Sequence, residues 1–266
     1  IASPASQTAI ENDRMVGATM GVSGTPAFFV NDWFINGAVP LAQFQQAIEN
    51  AKQGLHPTPA PPTPTPLPEG AQIYDVNPDR PGVTYDGSPT LGADDAQVSL
   101  IEFEDFKCGY CAEYATTVEP TLRSKYVESG QMRIVFKFLP IYAPKSGIAS
   151  LCAAEQDGFW DFHDLLFSKQ AEWQEGDDSA MVAYAEQIGL DTAKFQQCLD
   201  EGAGQRQLDD DQSLAEQLGI RGTPYFLLLD VQTQSGLRLP GALPLDQFEL
   251  AISNLLNPPT PTPAAQ

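Results

Sequence analysis

The sequence is poor in positive charge, in cysteine and in long apolar runs. It holds 14 Lys and Arg against 35 Asp and Glu, a formal net charge of −21. A surface this acidic repels phosphate backbones and argues against nucleic-acid binding. No apolar run approaches the ~18 residues of a bilayer-spanning helix, so none is expected. There are four cysteines and a single C-x-x-C pair. Without a second C-x-x-C or C-x-x-H, the pair makes only half a zinc site, so neither a metal nor a cofactor is expected. Residues 1–55 contain no cysteine and cannot perform thiol exchange alone. The chain opens on Ile1, with no basic–apolar–small leader ahead of its first segment.

Proline is what the chain has in excess, with 23 residues concentrated in strings. The run HPTPAPPTPTPLPEG (56–70) and the closing NPPTPTPAAQ favour extended polyproline II, the first as a semi-rigid spacer of roughly 45 Å. The flanking sequence repeats. Residues 13–32 align without gaps to 211–230, matching Gly24-Thr25-Pro26 to Gly222-Thr223-Pro224, and NGAVPLAQFQQAI (36–48) matches PGALPLDQFELAI (240–252). The first copy holds only the end of a longer unit. The expected organisation is a C-terminal fragment of a preceding unit (1–55), a Pro/Thr linker (56–71), one complete domain (72–257) and the start of a further linker (258–266).

Within the complete unit, 97–103 reads as a buried strand, followed by CGYC and a helix over 112–129 kinked at Pro120. Residues 132–138 alternate as a second strand. Spacing predicts helices over 146–169, 180–188, 192–200 and 205–218. Strands at 225–229 and 236–239 and a final amphipathic helix over 245–256 close the unit. The class is α/β.

The chemistry turns on Cys108-Gly109-Tyr110-Cys111. A C-x-x-C that follows a strand and opens a helix is a redox arrangement. The first sulfur sits at the helix N-terminus, where unpaired N–H groups and the dipole favour its thiolate. The second, one turn on, reaches back to resolve a mixed disulfide. An inert structural disulfide is the bland alternative. Glu102, six residues before Cys108, points to the same side as Glu104, and a carboxylate on a buried strand needs a reason. Lys107 is either a cation beside the nucleophile or a solvated side chain. Gly222-Thr223-Pro224 precedes an apolar strand, where a proline suits a cis turn.

The segments EFEDFKCGYC, LCAAEQDGFWDFHDLLF (151–167), IGLDTAKFQQCL (188–199) and LGIRGTPYFLLLD (218–230) together resemble the DsbA-like thiol–disulfide oxidoreductases of the thioredoxin superfamily. The resemblance covers about 95–256. It implies a thioredoxin core with a helical insertion at about 145–218, and makes 1–55 the last part of a second such unit. It implies Cys108 as the attacking and Cys111 as the resolving cysteine, with Glu102 as the buried acid moving protons near Cys111. Pro224 becomes the cis-proline and Thr223 the residue whose backbone pairs with the substrate chain, beside Gly109 and Tyr110 on the substrate-facing turn. It also implies a Cys152–Cys198 disulfide; two buried free thiols are the alternative. Partners would be protein thiols or disulfides and a membrane or soluble partner that resets the cysteine pair, in a bacterial, extracytoplasmic setting. The Gly-Tyr dipeptide departs from the Pro-His of strongly oxidising members, and Tyr110 cannot supply that histidine's charge. A scaffold protein with structural cysteines is the rival reading.

Other candidates have plainer explanations. His163, among Phe159, Trp160, Phe162 and Phe167, reads as a core residue. Asp75, Asn77, Asp79 and Asp86 resemble a calcium loop, but Arg80 stands where that loop needs glycine. Asp209, Asp210 and Asp211 read as solvated acids near a helix start.

Overall fold

The computed structural model describes residues 27–31, 33–36, 40–54 and 74–257, and the chain divides into two compact units, Ile1–Thr63 and Pro64–Gln266. The proline-rich segment 56–71, Gly24-Thr25-Pro26 and residues 258–266 lie outside the described residues.

In the first unit, β1 (Ala27–Val30) and β2 (Trp33–Asn36) form an antiparallel hairpin with Ala27 opposite Asn36 and Val30 opposite Trp33. Helix α1 (Leu41–Lys52) starts behind Pro40, whose extended φ −57°, ψ 146° fits a helix entrance. Its Phe44 meets Phe28 of β1 edge-on.

The second unit is built on a five-stranded sheet of order β3-β5-β4-β6-β7, comprising β3 (Thr90–Leu91), β4 (Val98–Glu104), β5 (Met132–Phe138), β6 (Tyr225–Asp230) and β7 (Gly236–Pro240). Only β4 and β5 run parallel, and Glu102 lies opposite Phe136 on one side and Phe226 on the other. As the central strand, β4 is buried along its whole length, its polar Ser99, Glu102 and Glu104 included. Its alternation divides the core. Val98 and Leu100 face a layer containing Tyr114 and Phe248, whereas Ile101 and Phe103 face Ala215 and Leu218.

The expected element order holds. Helix α2 (Gly109–Thr117) follows β4, and the run breaks at Val118 ahead of α3 (Glu119–Leu122), with Pro120 in the first turn of α3, where its missing N–H costs nothing. A π-helical turn, Arg123–Val127, leads to β5. After β5 come α4 (Pro144–Ala154), α5 (Phe159–Ser168), α6 (Asp178–Gln187), α7 (Thr192–Glu201) and α8 (Gln205–Leu218); α9 (Leu245–Leu256) closes the unit.

Two features differ from the sequence reading. The helix expected over 146–169 is two helices. Between them Asp157 turns at φ 61°, and a side chain at Gly158 would press on Leu190 Cδ2, 2.8 Å away. Helix α8, assigned to the insertion, belongs to it only at its start. Leu208 packs in the insertion's core, while Ala215 and Leu218 pack against the sheet.

Candidate active site

Cys108 is the N-cap of α2, with extended backbone (φ −72°, ψ 119°), at the point where β4 has ended and the helix begins. Both cysteines of the motif are free thiols; Cys108 is 7% exposed and Cys111 is fully buried. The Cys111 thiol acts as a hydrogen-bond donor towards Cys108 and is the largest influence on it. With the Thr223 side chain and the N–H groups of Cys111 and Tyr110, it outweighs burial and lowers the Cys108 pKa to about 7. Burial, reinforced by Cys108 and the charge of Glu104, pushes the Cys111 thiol well above its ordinary range. The two sulfurs are thereby made unequal, one a ready thiolate and the other a retained thiol.

Thr223 comes to the motif from the loop before β6. The Cys108 thiol donates to its carbonyl at 3.3 Å, its hydroxyl has no other hydrogen-bond partner, and the Thr223–Pro224 peptide bond is cis. Tyr110, 45% exposed, and Tyr142, 39% exposed, flank the cysteines. The turn between β4 and α2 is held by Asp105. Its Oδ1 accepts the Lys107 N–H at 2.7 Å, and its Oδ2 accepts those of Tyr142 and Ala143 at 2.6 and 3.2 Å. Gln170 Nε2 donates to the carbonyls of Phe106 and Cys108, both at 2.9 Å, tying the same turn to the insertion. Neither Asp105 nor Gln170 carries a motif that would single it out in the sequence.

One expectation is corrected here, that for Lys107. Of the two strand carboxylates, Glu104 raises the Cys111 thiol by its charge. Both lie on one face of β4 and are buried, but Glu102 accepts from Tyr114 Oη at 3.1 Å, while both Glu104 carboxylate oxygens lack a hydrogen-bond partner. Burial raises the pKa of each well above the usual carboxylate range, with the charge of Glu119 adding to it at Glu102 and those of Glu102 and Glu119 at Glu104. Lys107 neither faces the nucleophile nor is simply solvated. Its ammonium donates to the carbonyls of Gln170 and Trp173, at 2.7 and 2.5 Å, and lies 3.8 Å from the Trp173 ring centroid.

Cys152 on α4 and Cys198 on α7 form a disulfide, closing a sequence separation of 46 residues across the insertion. Asp211 is not a solvated acid. It is buried on α8, where it accepts from Lys137 Nζ at 3.1 Å and from the Phe138 N–H at 3.0 Å. Asp86 of the calcium-like loop is engaged by the same fully buried ammonium and by Thr84. His163 is buried as expected, ringed by Phe106, Phe136 and Phe167. With Glu102 and Glu119 it makes the one group of residues among those described with the spacing of metal ligands, one ligand atom of each lying within 4.8 Å of the others.

Comparison with known proteins agrees with this geometry. The chain is 33% identical over 158 residues to Na(+)/H(+) antiporter NhaA 3 of Salinispora tropica, covering 58% of this chain and 22% of the antiporter. It is 29% identical over 154 residues to disulfide bond formation protein D of Bacillus subtilis, covering 54% of this chain and 68% of that protein. It thus spans about a quarter or less of the antiporters it matches and about two thirds of the disulfide bond formation protein. Among solved structures, BdbD from Bacillus subtilis superposes with a TM-score of 0.57 at 24% identity, covering 64% of this chain and 92% of that one. The α-DsbA1 of Wolbachia pipientis gives 0.56 at 24% identity, covering 63% and 90%. These likenesses show a DsbA-like fold, with the helical insertion in the place expected. A family model described as Thioredoxin matches residues 84–238, more than half of the sequence, and the chain belongs to that family.

Proposed function

We propose that the protein is a thiol–disulfide oxidoreductase acting on protein thiols and disulfides through Cys108 and Cys111. The observation that carries this reading is the inequality of the two sulfurs, one lowered to about 7 at a helix N-terminus and the other buried and raised. In the reducing direction the Cys108 thiolate attacks a substrate disulfide, forming a mixed disulfide and releasing one substrate thiolate. Cys111 then gives up its proton and attacks Cys108 Sγ, which releases the second substrate thiolate and leaves the Cys108–Cys111 disulfide. In the oxidising direction a substrate thiolate attacks Cys108 of that disulfide, and Cys111 departs and takes up a proton. A second substrate thiolate then attacks the substrate sulfur of the mixed disulfide and expels the Cys108 thiolate. The raised pKa of Cys111, to which Glu104 contributes, favours its protonated state whenever it is not bonded to sulfur.

Gly109, Tyr110, Thr223 and Pro224 form the surface that receives the substrate chain, with exposed Tyr110 and Tyr142 as its apolar borders. The name of the Bacillus subtilis relative, disulfide bond formation protein D, supports the activity class. A durable Cys152–Cys198 disulfide supports an extracytoplasmic setting in bacteria, where a separate redox partner would reset the motif. No helix among the described residues is long and apolar enough to cross a membrane. Residues 1–55 are read as the C-terminal part of a second DsbA-like unit, joined through the Pro/Thr segment. Their hairpin and helix repeat the order of β6, β7 and α9.

The test is turnover. Wild-type protein should catalyse insulin reduction or the oxidation of a reduced peptide, and Cys108→Ser should abolish both. A Cys108→Ser variant of undiminished activity would overturn the assignment.

A further inference from the structure

Three polar atoms in the second unit are buried together without a hydrogen-bond partner: Glu102 Oε1, Glu119 Oε2 and His163 Nε2. They belong to residues of β4, α3 and α5 that each bring one ligand atom within 4.8 Å of the others', and these residues are at most 1% exposed. The remaining polar atoms of these side chains are engaged. Glu102 Oε2 accepts from Tyr114 Oη, and Glu119 Oε1 accepts from Arg123 Nε at 2.7 Å and lies 2.6 Å from its Nη2. His163 Nδ1 lies 2.8 Å from Asp164 Oδ1 and 3.4 Å from Arg123 Nη2. The closer carboxylate sets the tautomer. Nδ1 donates to Asp164, and Nε2 turns a lone pair towards Glu119 Oε2.

That arrangement leaves acceptors facing one another, and either a proton or a cation within it relieves the repulsion. Arg123 pairs with Glu119 and Asp164 at its edge. His163 Nε2 and Glu119 Oε2 are 3.9 Å apart, too far for a hydrogen bond. Two ligands each bonded at about 2.0–2.2 Å to one metal ion stand about 3–4.3 Å apart, which accommodates this separation. A bridging water fits the space but leaves the charge unbalanced.

We propose that Glu102, Glu119 and His163 form a binding site for a divalent first-row transition cation, with zinc as the representative. One imidazole and two carboxylates suit such an ion, and Asp164 is the outer carboxylate that orients the histidine. A cleft of about 730 Å³ lies beside the cluster, its walls including Arg123 and Asp164, the residues that touch Glu119 and His163. The bound ion ties the strand leading to the cysteines to α3 and to the insertion.

The test uses the full chain with Cys108 and Cys111 oxidised to a disulfide, so that no thiolate competes for metal. The protein is refolded with and without zinc chloride and freed of loose ion by gel filtration. Bound zinc is measured by plasma mass spectrometry and the melting temperature by calorimetry. Wild type should retain about one zinc per chain and melt higher with it. Glu102→Gln and His163→Gln should each retain about tenfold less zinc and lose the melting shift. If His163→Gln fails to fold, Glu102→Gln carries the comparison. Wild type refolded in zinc that holds no more than the variants, or no zinc at all, would overturn the site and leave the cluster bridged by protons or water.

Discussion

Phe28 meets Phe44 edge-on in the first unit, with ring centroids 4.9 Å apart and planes at 83°, and in the second unit Phe226 meets Phe248 at the same 4.9 Å and 87°. In both, a hairpin strand presents the first ring and a helix behind a proline N-cap presents the second. The environments differ. Phe28 is 40% exposed, while Phe226 is fully buried beside Tyr114. Phe226→Ala should therefore destabilise the second unit by about 3–5 kcal/mol. Phe28→Ala should leave that unit's unfolding transition unchanged to within about 0.5 kcal/mol. Urea denaturation followed by fluorescence measures both.

Lys137 is fully buried and pairs with Asp211 and Asp86. Lys137→Met should cost about 3–5 kcal/mol at neutral pH, because it strands the buried Asp211. The double variant Lys137→Met/Asp211→Asn should recover part of that loss. Burial outweighs Lys137 and raises the Asp211 pKa to about 6. Its folded value therefore lies above its unfolded one, so its contribution to stability is fullest below about pH 4 and is lost as pH rises through about 6. Stability measured from pH 4 to 7 should carry this decline in wild type and lack it in Asp211→Asn.

The Cys152–Cys198 bridge closes its loop within the insertion, away from the reactive pair in sequence. Replacing both with alanine should lower stability by about 3–4 kcal/mol on the chain-entropy account. Thiol–disulfide exchange at Cys108 should continue at temperatures where the variant stays folded. Loss of activity in well-folded variant protein would give this pair a role in the chemistry.

A Cys108 pKa of about 7 stabilises the thiolate only moderately, and a modestly stabilised thiolate makes a modest oxidant. The reduction potential of the Cys108–Cys111 couple, equilibrated against glutathione, should lie closer to about −270 mV than to the about −120 mV of a strong oxidase. A value at the oxidising end would mean that groups other than those described around Cys108 stabilise its thiolate.

The site was legible where chemistry is local. A strand, a C-x-x-C and a helix start occupy contiguous sequence, and Cys108 and Cys111 stand where that order puts them. The resemblance carried the longer links to Thr223, Pro224 and Cys152–Cys198. Alternation along β4 put Glu102 and Glu104 on one face but could not say which one reached Cys111. The packing of α2 is what distinguishes them, its Tyr114 donating to Glu102 while Glu104 keeps no hydrogen-bond partner. Lys107 reads as either a cation for the nucleophile or a solvated side chain, because nothing local reveals that Trp173, 66 residues on, accepts it. Likewise β3, two residues long, is too short for any period to show, and its place comes from Thr90 and Leu91 pairing with β5. The cluster of Glu102, Glu119 and His163 has no motif spacing, and its members meet only once α3 and α5 close over the sheet.

The central claim is that the fold makes Cys108 a ready thiolate and keeps Cys111 protonated. Iodoacetamide alkylation of the reduced protein, read site by site by mass spectrometry across pH 5–10, tests it directly. Modification at Cys108 should rise to half its maximum near pH 7, and Cys111 should stay unmodified well above that. The same midpoint should persist in Lys107→Met, since Lys107 is held at Trp173. A Cys108 midpoint at the about 8.5 of a free cysteine, or equal reactivity of the two cysteines, would contradict the account.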